Sequence, residues 1–187
     1  MVTMFTRDFL CEAFRHMEWA DATVWAAVPR EGAPDARLRH LLVHVHTVQR
    51  VFLIAWTGDQ KGEALRPPES FATLDDVRAW ARPVYDDLAS FVAAVDESRL
   101  SAPFEMPWAR QVETQLGRPP GVSTLADTCF QVASHSTYHR GQVNARLREL
   151  GVEPPLVDYI AWIWKGQPEA QWPRNVVAPT SDDRVIG

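Results

Sequence analysis

Apolar residues recur at helical spacing over four long stretches of this chain, and this pattern limits the fold more than any other feature. The stretches cover about residues 5–28, 35–56, 73–96 and 123–150, and residues that favour helix ends flank them. A helix with one apolar stripe must bury that stripe against a neighbour. The sequence therefore predicts an all-α protein, a four-helix bundle.

The segments outside these four helices predict the remaining organisation. Pro83 should kink or divide the third helix, because proline lacks a backbone N–H and its ring clashes with the preceding turn. The long connection to the fourth helix includes residues 104–114, which predict either a short hairpin or an irregular excursion. Residues 156–164 predict a short C-terminal helix. We expect one bundle domain over residues 1–165 and an irregular tail over residues 166–187.

The charge balance argues against a polyanionic partner. The formal net charge is −5 over 187 residues, and the 19 lysines and arginines are dispersed rather than clustered. We therefore expect neither a nucleic-acid nor a membrane partner. The N-terminus is charged too early for a secretory signal, and no apolar run of about 18 residues occurs, which predicts a soluble cytoplasmic protein. Cys11 and Cys129 fit reduced core residues, with a bridge between them left open.

Six histidines include a pair with the spacing of a metal site. His135 and His139 are four residues apart on the fourth predicted helix, so their imidazoles stack on one face. The second helix offers His40, His44 and His46 as a third ligand, and His44 lies nearest to the apolar stripe of that helix. We therefore predict that His44, His135 and His139 form a three-histidine metal centre.

Three neutral imidazoles suit zinc, nickel, copper or ferrous iron, and they leave coordination positions for water or substrate. Such an ion keeps its double positive charge, which would lower the pKa of a bound water or favour a thiolate. The alternative is that the histidines are surface or hydrogen-bonded residues with no metal. We interpret His16, His40 and His46 as exposed or structural.

The neighbours of the pair have more ordinary interpretations. Arg140 points away from the ligand line and is assigned to an ion pair or to a neighbouring chain. Gln142 and Arg146 project close to the line of His135, so Arg146 is a candidate anion contact, with a purely structural role as the alternative. Tyr138 is expected to pack against helix two or at a subunit surface, with a phenol near the site as the alternative.

Residues 135–142, His-Ser-Thr-Tyr-His-Arg-Gly-Gln, resemble the H-x-x-x-H-R-G-Q signature of the DinB/YfiT-like metalloprotein superfamily. Residues 42–50 resemble its helix-two ligand segment, residues 18–21 resemble its first-helix pattern, and the likeness covers about residues 5 to 165. The resemblance implies an up-down-down-up four-helix bundle that binds a divalent metal, commonly zinc or nickel, and the imidazole ligands leave iron as a further option. The implied ligands are His44, His135 and His139. The superfamily usually has Glu where this chain has Gln49, which hydrogen-bonds but cannot act as a base.

Members of this superfamily include mycothiol-dependent maleylpyruvate isomerase and bacillithiol S-transferases. The resemblance therefore implies a metal-dependent transferase or isomerase that activates a low-molecular-weight thiol toward a small-molecule substrate. The open coordination positions leave water as the other group that the ion could activate. The resemblance also implies a homodimer. Two alternatives stay open: a non-catalytic metal- or ligand-binding stress-response module, and a structural protein with vestigial histidines.

Overall fold

The structure is a computed structural model that describes residues 5–29, 35–59 and 65–174. These residues form helices and connecting turns and contain no strand, so the all-α prediction is confirmed. The predicted tail beyond residue 174 lies outside the described part of the chain. The helices are α1 (Arg7–Ala27), α2 (Ala36–Thr57), α3 (Leu74–Ala81), α4 (Pro83–Ala94), α5 (Glu97–Leu100), α6 (Glu113–Leu116), α7 (Leu125–Glu149) and α8 (Tyr159–Trp164), with 3-10 turns at Pro68–Ser70 and Ala109–Val112.

Side-chain caps determine where the long helices begin and end. The Thr6 hydroxyl accepts a hydrogen bond at the start of α1, and the Asp35 carboxylate does the same for α2. Helix α7 begins with a full capping box, in which Thr124 and Asp127 each bond to the other's backbone N–H. Gly58 ends α2 in the left-handed conformation, with φ of 70°. These short-range signals explain why the predicted bounds of the long helices agree with the observed ones.

Pro83 divides the predicted third helix in two. Helix α3 ends at Ala81, and α4 begins at Pro83 itself. Proline is well suited to the first position of a helix, because the N–H that it lacks would have no partner there. The break is therefore a consequence of one residue.

The connection between α4 and α7 is irregular, and a hairpin over residues 104–114 is wrong. That stretch contains a 3-10 turn and the short helix α6. Among the described residues, the pairing here is limited to an isolated bridge between Pro103 and Thr124. The weak alternation of apolar residues lacks a partner strand, so it does not produce a ladder.

Helix α7 packs against both α1 and α2, α4 packs against the same two helices, and α3 packs on α2. The core lies between them, where Leu10, Met17, Trp25, Leu88 and Leu125 are at most 2% exposed. In the part of the chain that the structure describes, no helix combines the length and the apolarity needed to cross a membrane.

The described part of the tail folds back onto the helices. The indole N–H of Trp172 donates to the Glu18 carboxylate at 3.0 Å, and the Trp172 ring lies 5.2 Å from the ring of Tyr85. Residues 166–174 are irregular, and Trp172 attaches them to α1 and α4 through these two contacts. Both cysteines are free thiols, and Cys129 is buried.

Candidate metal centre

Three histidines meet where α2 and α7 pack together. His44 extends from α2, and His135 and His139 extend from successive turns of α7. One ring nitrogen from each lies within 4.8 Å of the other two, and the Nε2 atoms of His44 and His139 are 3.2 Å apart. The structure thus brings together the three residues that the sequence selected, and it supplies the contact between α2 and α7 that spacing alone does not reveal.

The chemistry of this cluster fits a divalent metal ion. The Nε2 atom of His135 is buried and has no hydrogen-bond partner, although a buried polar atom normally has one. Burial, and then the neighbouring imidazoles, lower the pKa of His135 to about 4 and also lower the pKa of His44. Both imidazoles are therefore neutral at neutral pH, which is the form that binds metal. Imidazole nitrogens at this spacing suit zinc, nickel and ferrous iron.

His139 is held from two sides. Its Nδ1 atom is 2.8 Å from Oε1 of Gln142, which lies three residues later on the same face of α7. The ring of Tyr138 meets the His139 ring edge-on, at 4.9 Å and 89°. Tyr138 is 66% exposed, so its ring is not buried between α7 and α2, and a position at a subunit surface stays a prediction.

A buried ion pair lies next to the cluster and joins α7 to α1. Arg140 donates to the Asp21 carboxylate at 2.6 Å and to the Met17 carbonyl at 3.3 Å. Both charged side chains are at most 5% exposed. The Tyr85 hydroxyl donates to the other Asp21 oxygen at 2.5 Å, and burial followed by the Asp21 charge raises the pKa of Tyr85. The prediction that Arg140 forms an ion pair is confirmed.

Gln49 extends this network to α2 and back to α7. Its amide NH2 donates to Asp21 and to the Ser136 hydroxyl, both at 3.1 Å. Its carbonyl oxygen lies 2.8 Å from Nδ1 of His46, and Nε2 of His46 accepts from the Trp25 indole at 3.0 Å. Since Nε2 of His46 is an acceptor, its Nδ1 carries the proton and donates to Gln49. Gln49, at the position where the superfamily usually has Glu, is therefore a fully bonded connector.

The remaining histidines have structural or exposed positions. His46 belongs to the buried network, and His16 donates from Nε2 to the Val157 carbonyl at 3.0 Å. His40 is exposed. Arg146 pairs with Asp35 at 2.6 Å and also with Glu149. These two ion pairs favour a structural role for Arg146 over the alternative of an anion contact. Sequence reasoning missed Asp21 and Tyr85, although Asp21 stands in the 18–21 pattern that carried part of the resemblance.

Three convergent histidines on two packed helices make this chain a candidate helical metalloprotein. Comparison with known families identifies its family. The model of the DinB family matches residues 4–171, so the chain belongs to the DinB family. No curated protein and no solved structure gives a significant match.

Proposed function

We propose that this protein is a divalent-metal-dependent enzyme in which His44, His135 and His139 hold the ion. The observation that supports the proposal most strongly is the cluster itself, with three ring nitrogens within 4.8 Å of one another and a buried, unpartnered Nε2 on His135. Zinc or nickel is the expected ion, with iron as a further option.

The chain's own residues contribute neutrality, orientation and shielding. Burial keeps His135 and His44 unprotonated, and Gln142 and Tyr138 orient His139. Three neutral ligands do not offset a double positive charge, so a bound divalent ion would lower the pKa of a thiol or water that reaches the site. The proposed reaction is the transfer or isomerisation of a small substrate by a low-molecular-weight thiol, as the DinB resemblance implies, or by metal-activated water.

Metal content of protein purified without chelators tests the site. We expect about one equivalent of zinc or nickel in the wild type and a large loss in His139→Ala. The exposed His40, one turn before His44 on α2, supplies the matched control: His40→Ala should keep the metal. A wild type that binds no divalent ion, even after loading, would end the proposal.

Catalysis is tested separately on the metal-loaded protein. We expect turnover with a thiol and an electrophile from a panel of low-molecular-weight thiols, and loss of that turnover in His139→Ala. A metal that stabilises the wild type strongly, without turnover of any pair, would instead favour a non-catalytic binding module.

Three finer expectations stay predictions: the up-down-down-up order of a four-helix bundle, the homodimer and the cytoplasmic location. Light scattering addresses the second. A solution mass near the 21.1 kDa of one chain would contradict the dimer.

A further inference from the structure

We propose that Gln142 is a positioning residue that fixes His139 in the tautomer required for metal binding, so that this histidine is a preformed ligand in the metal-free protein. The inference rests on the proposed function for its consequence, which is metal affinity. The tautomer itself is a property of the metal-free chain and is tested independently.

The hydrogen bond at Nδ1 decides the tautomer. A neutral imidazole carries one proton, and the nitrogen without it is the acceptor or the metal ligand. Oε1 of Gln142 is a carbonyl oxygen that only accepts, and it lies 2.8 Å from Nδ1 of His139. Nδ1 of His139 therefore carries the proton and donates it to Gln142. Nε2 of His139 then carries no proton, and its lone pair faces the Nε2 atom of His44 at 3.2 Å.

The three histidines differ in this respect. Among the residues that the structure describes, neither His44 nor His135 has a hydrogen-bond partner on Nδ1. With Nε2 of His139 as an acceptor, the 3.2 Å contact makes Nε2 of His44 the donor in the metal-free protein. His44 must then move its proton to Nδ1 before it can bind a metal, whereas His139 needs no change. Gln142 thus prepares one ligand in advance.

The position of Gln142 suits this role. Residues three apart on a helix are neighbours on one surface, so the contact with His139 requires no distant element. Gln142 and His139 are both partly buried, which limits competition from water for the Nδ1 proton. Outer hydrogen-bond partners of this kind typically change metal affinity about 10- to 100-fold when they are removed.

Tautomers are read directly from long-range 1H–15N correlation spectra of the histidine side chains. The sample is metal-free, 15N-histidine-labelled protein at pH 8, with His139 assigned from the spectrum of His139→Ala. In the wild type we expect His139 with its proton on Nδ1 and His44 with its proton on Nε2. A wild-type His139 protonated on Nε2 would overturn the proposal without any reference to metal.

Affinity for zinc is then measured by competition with a chromophoric chelator. Gln142→Leu keeps the size and a good helix former but removes the acceptor, so we expect mixed tautomers at His139 and about 10- to 100-fold weaker binding. Gln142→Glu still accepts and should stay within a few-fold of wild type. The matched control is Gln111→Leu, the same substitution at an exposed residue outside the long helices, and it should alter neither the tautomer nor the zinc affinity.

The outcomes separate the two proposals. A wild type that shows the Nδ1–H tautomer but binds no zinc leaves Gln142 in its positioning role and removes the proposed function. A Gln142→Leu variant with wild-type tautomer and affinity overturns the inference. Circular dichroism confirms folding of each variant, and Gln142→Glu together with the wild-type spectrum decides the question if Gln142→Leu does not fold.

Discussion

Removal of the Asp21 carboxylate should destabilise the fold strongly. Asp21 pairs with Arg140 at 2.6 Å, and both side chains are at most 5% exposed. Truncation of one partner of a buried pair leaves the other charge uncompensated, which costs about 3–5 kcal/mol. Tyr85 and Gln49 lose an acceptor as well. Since domains are typically stable by about 5–15 kcal/mol, Asp21→Ala should fold with a much reduced margin.

Urea denaturation of metal-free protein, followed by circular dichroism, measures this change. The matched control is Asp86→Ala, which removes a carboxylate that is 70% exposed and 3.8 Å from Arg82. An exposed pair of that kind contributes at most about 1 kcal/mol. We expect the midpoint of Asp21→Ala to fall far below that of the control.

A double variant checks the cause. Asp21→Leu with Arg140→Met leaves no buried charge, so it should recover part of the stability lost by Asp21→Ala. Recovery should be incomplete, because Tyr85 and Gln49 still lack their acceptor. The reasoning is refuted if Asp21→Ala costs no more than Asp86→Ala.

Three further predictions concern glycine, histidine and cysteine residues. Gly58→Ala should lower the free energy of unfolding by about 1 kcal/mol, because φ is 70° there. Gly141→Ala should raise it by up to about 1 kcal/mol, since an added Cβ on this helical residue meets no atom within 4 Å; denaturant melts that give both changes the same sign would contradict this. Burial lowers the pKa of His135 to about 4 and also lowers the pKa of His46, so the unfolded chain binds protons more readily than the folded one. The free energy of unfolding of the metal-free protein should therefore decline as the pH falls from about 6.5 toward 4, and a flat profile would contradict this prediction. Burial raises the pKa of the Cys129 thiol to about 12, so a thiol reagent should modify Cys129 rapidly in denaturant but not in native buffer. Rapid modification of Cys129 in native buffer would contradict this.

Helix ends and the clustering of the three histidines could be predicted, largely because both depend on short-range patterns. Thr124 and Asp127 form a capping box within four residues, and His135 and His139 share a face through their spacing alone. His44 followed from its place beside the apolar stripe of α2. The contact between α2 and α7 is a tertiary contact that residue spacing does not predict, and only the family resemblance implied it.

The buried network could not be predicted, because its members are distant in sequence. Arg140 was expected to pair, but its partner Asp21 lies 119 residues away on α1. The substitution at Gln49 suggested only the loss of a base. Its connecting role depends on Ser136 and Asp21, which come from two other helices.

The buried network and the histidine cluster constrain the same helix. Adjacent helical residues point about 100° apart, so while His135 and His139 face α2, the next residue after each, Ser136 and Arg140, faces the buried network. Ser136 bonds to Gln49 on α2, and Arg140 pairs with α1. Any rotation of α7 that moved the two imidazoles away from α2 would also break these buried bonds. The orientation of the histidines is therefore stabilised by polar contacts that never touch a metal, and the precision of the site depends on the packing of all the long helices.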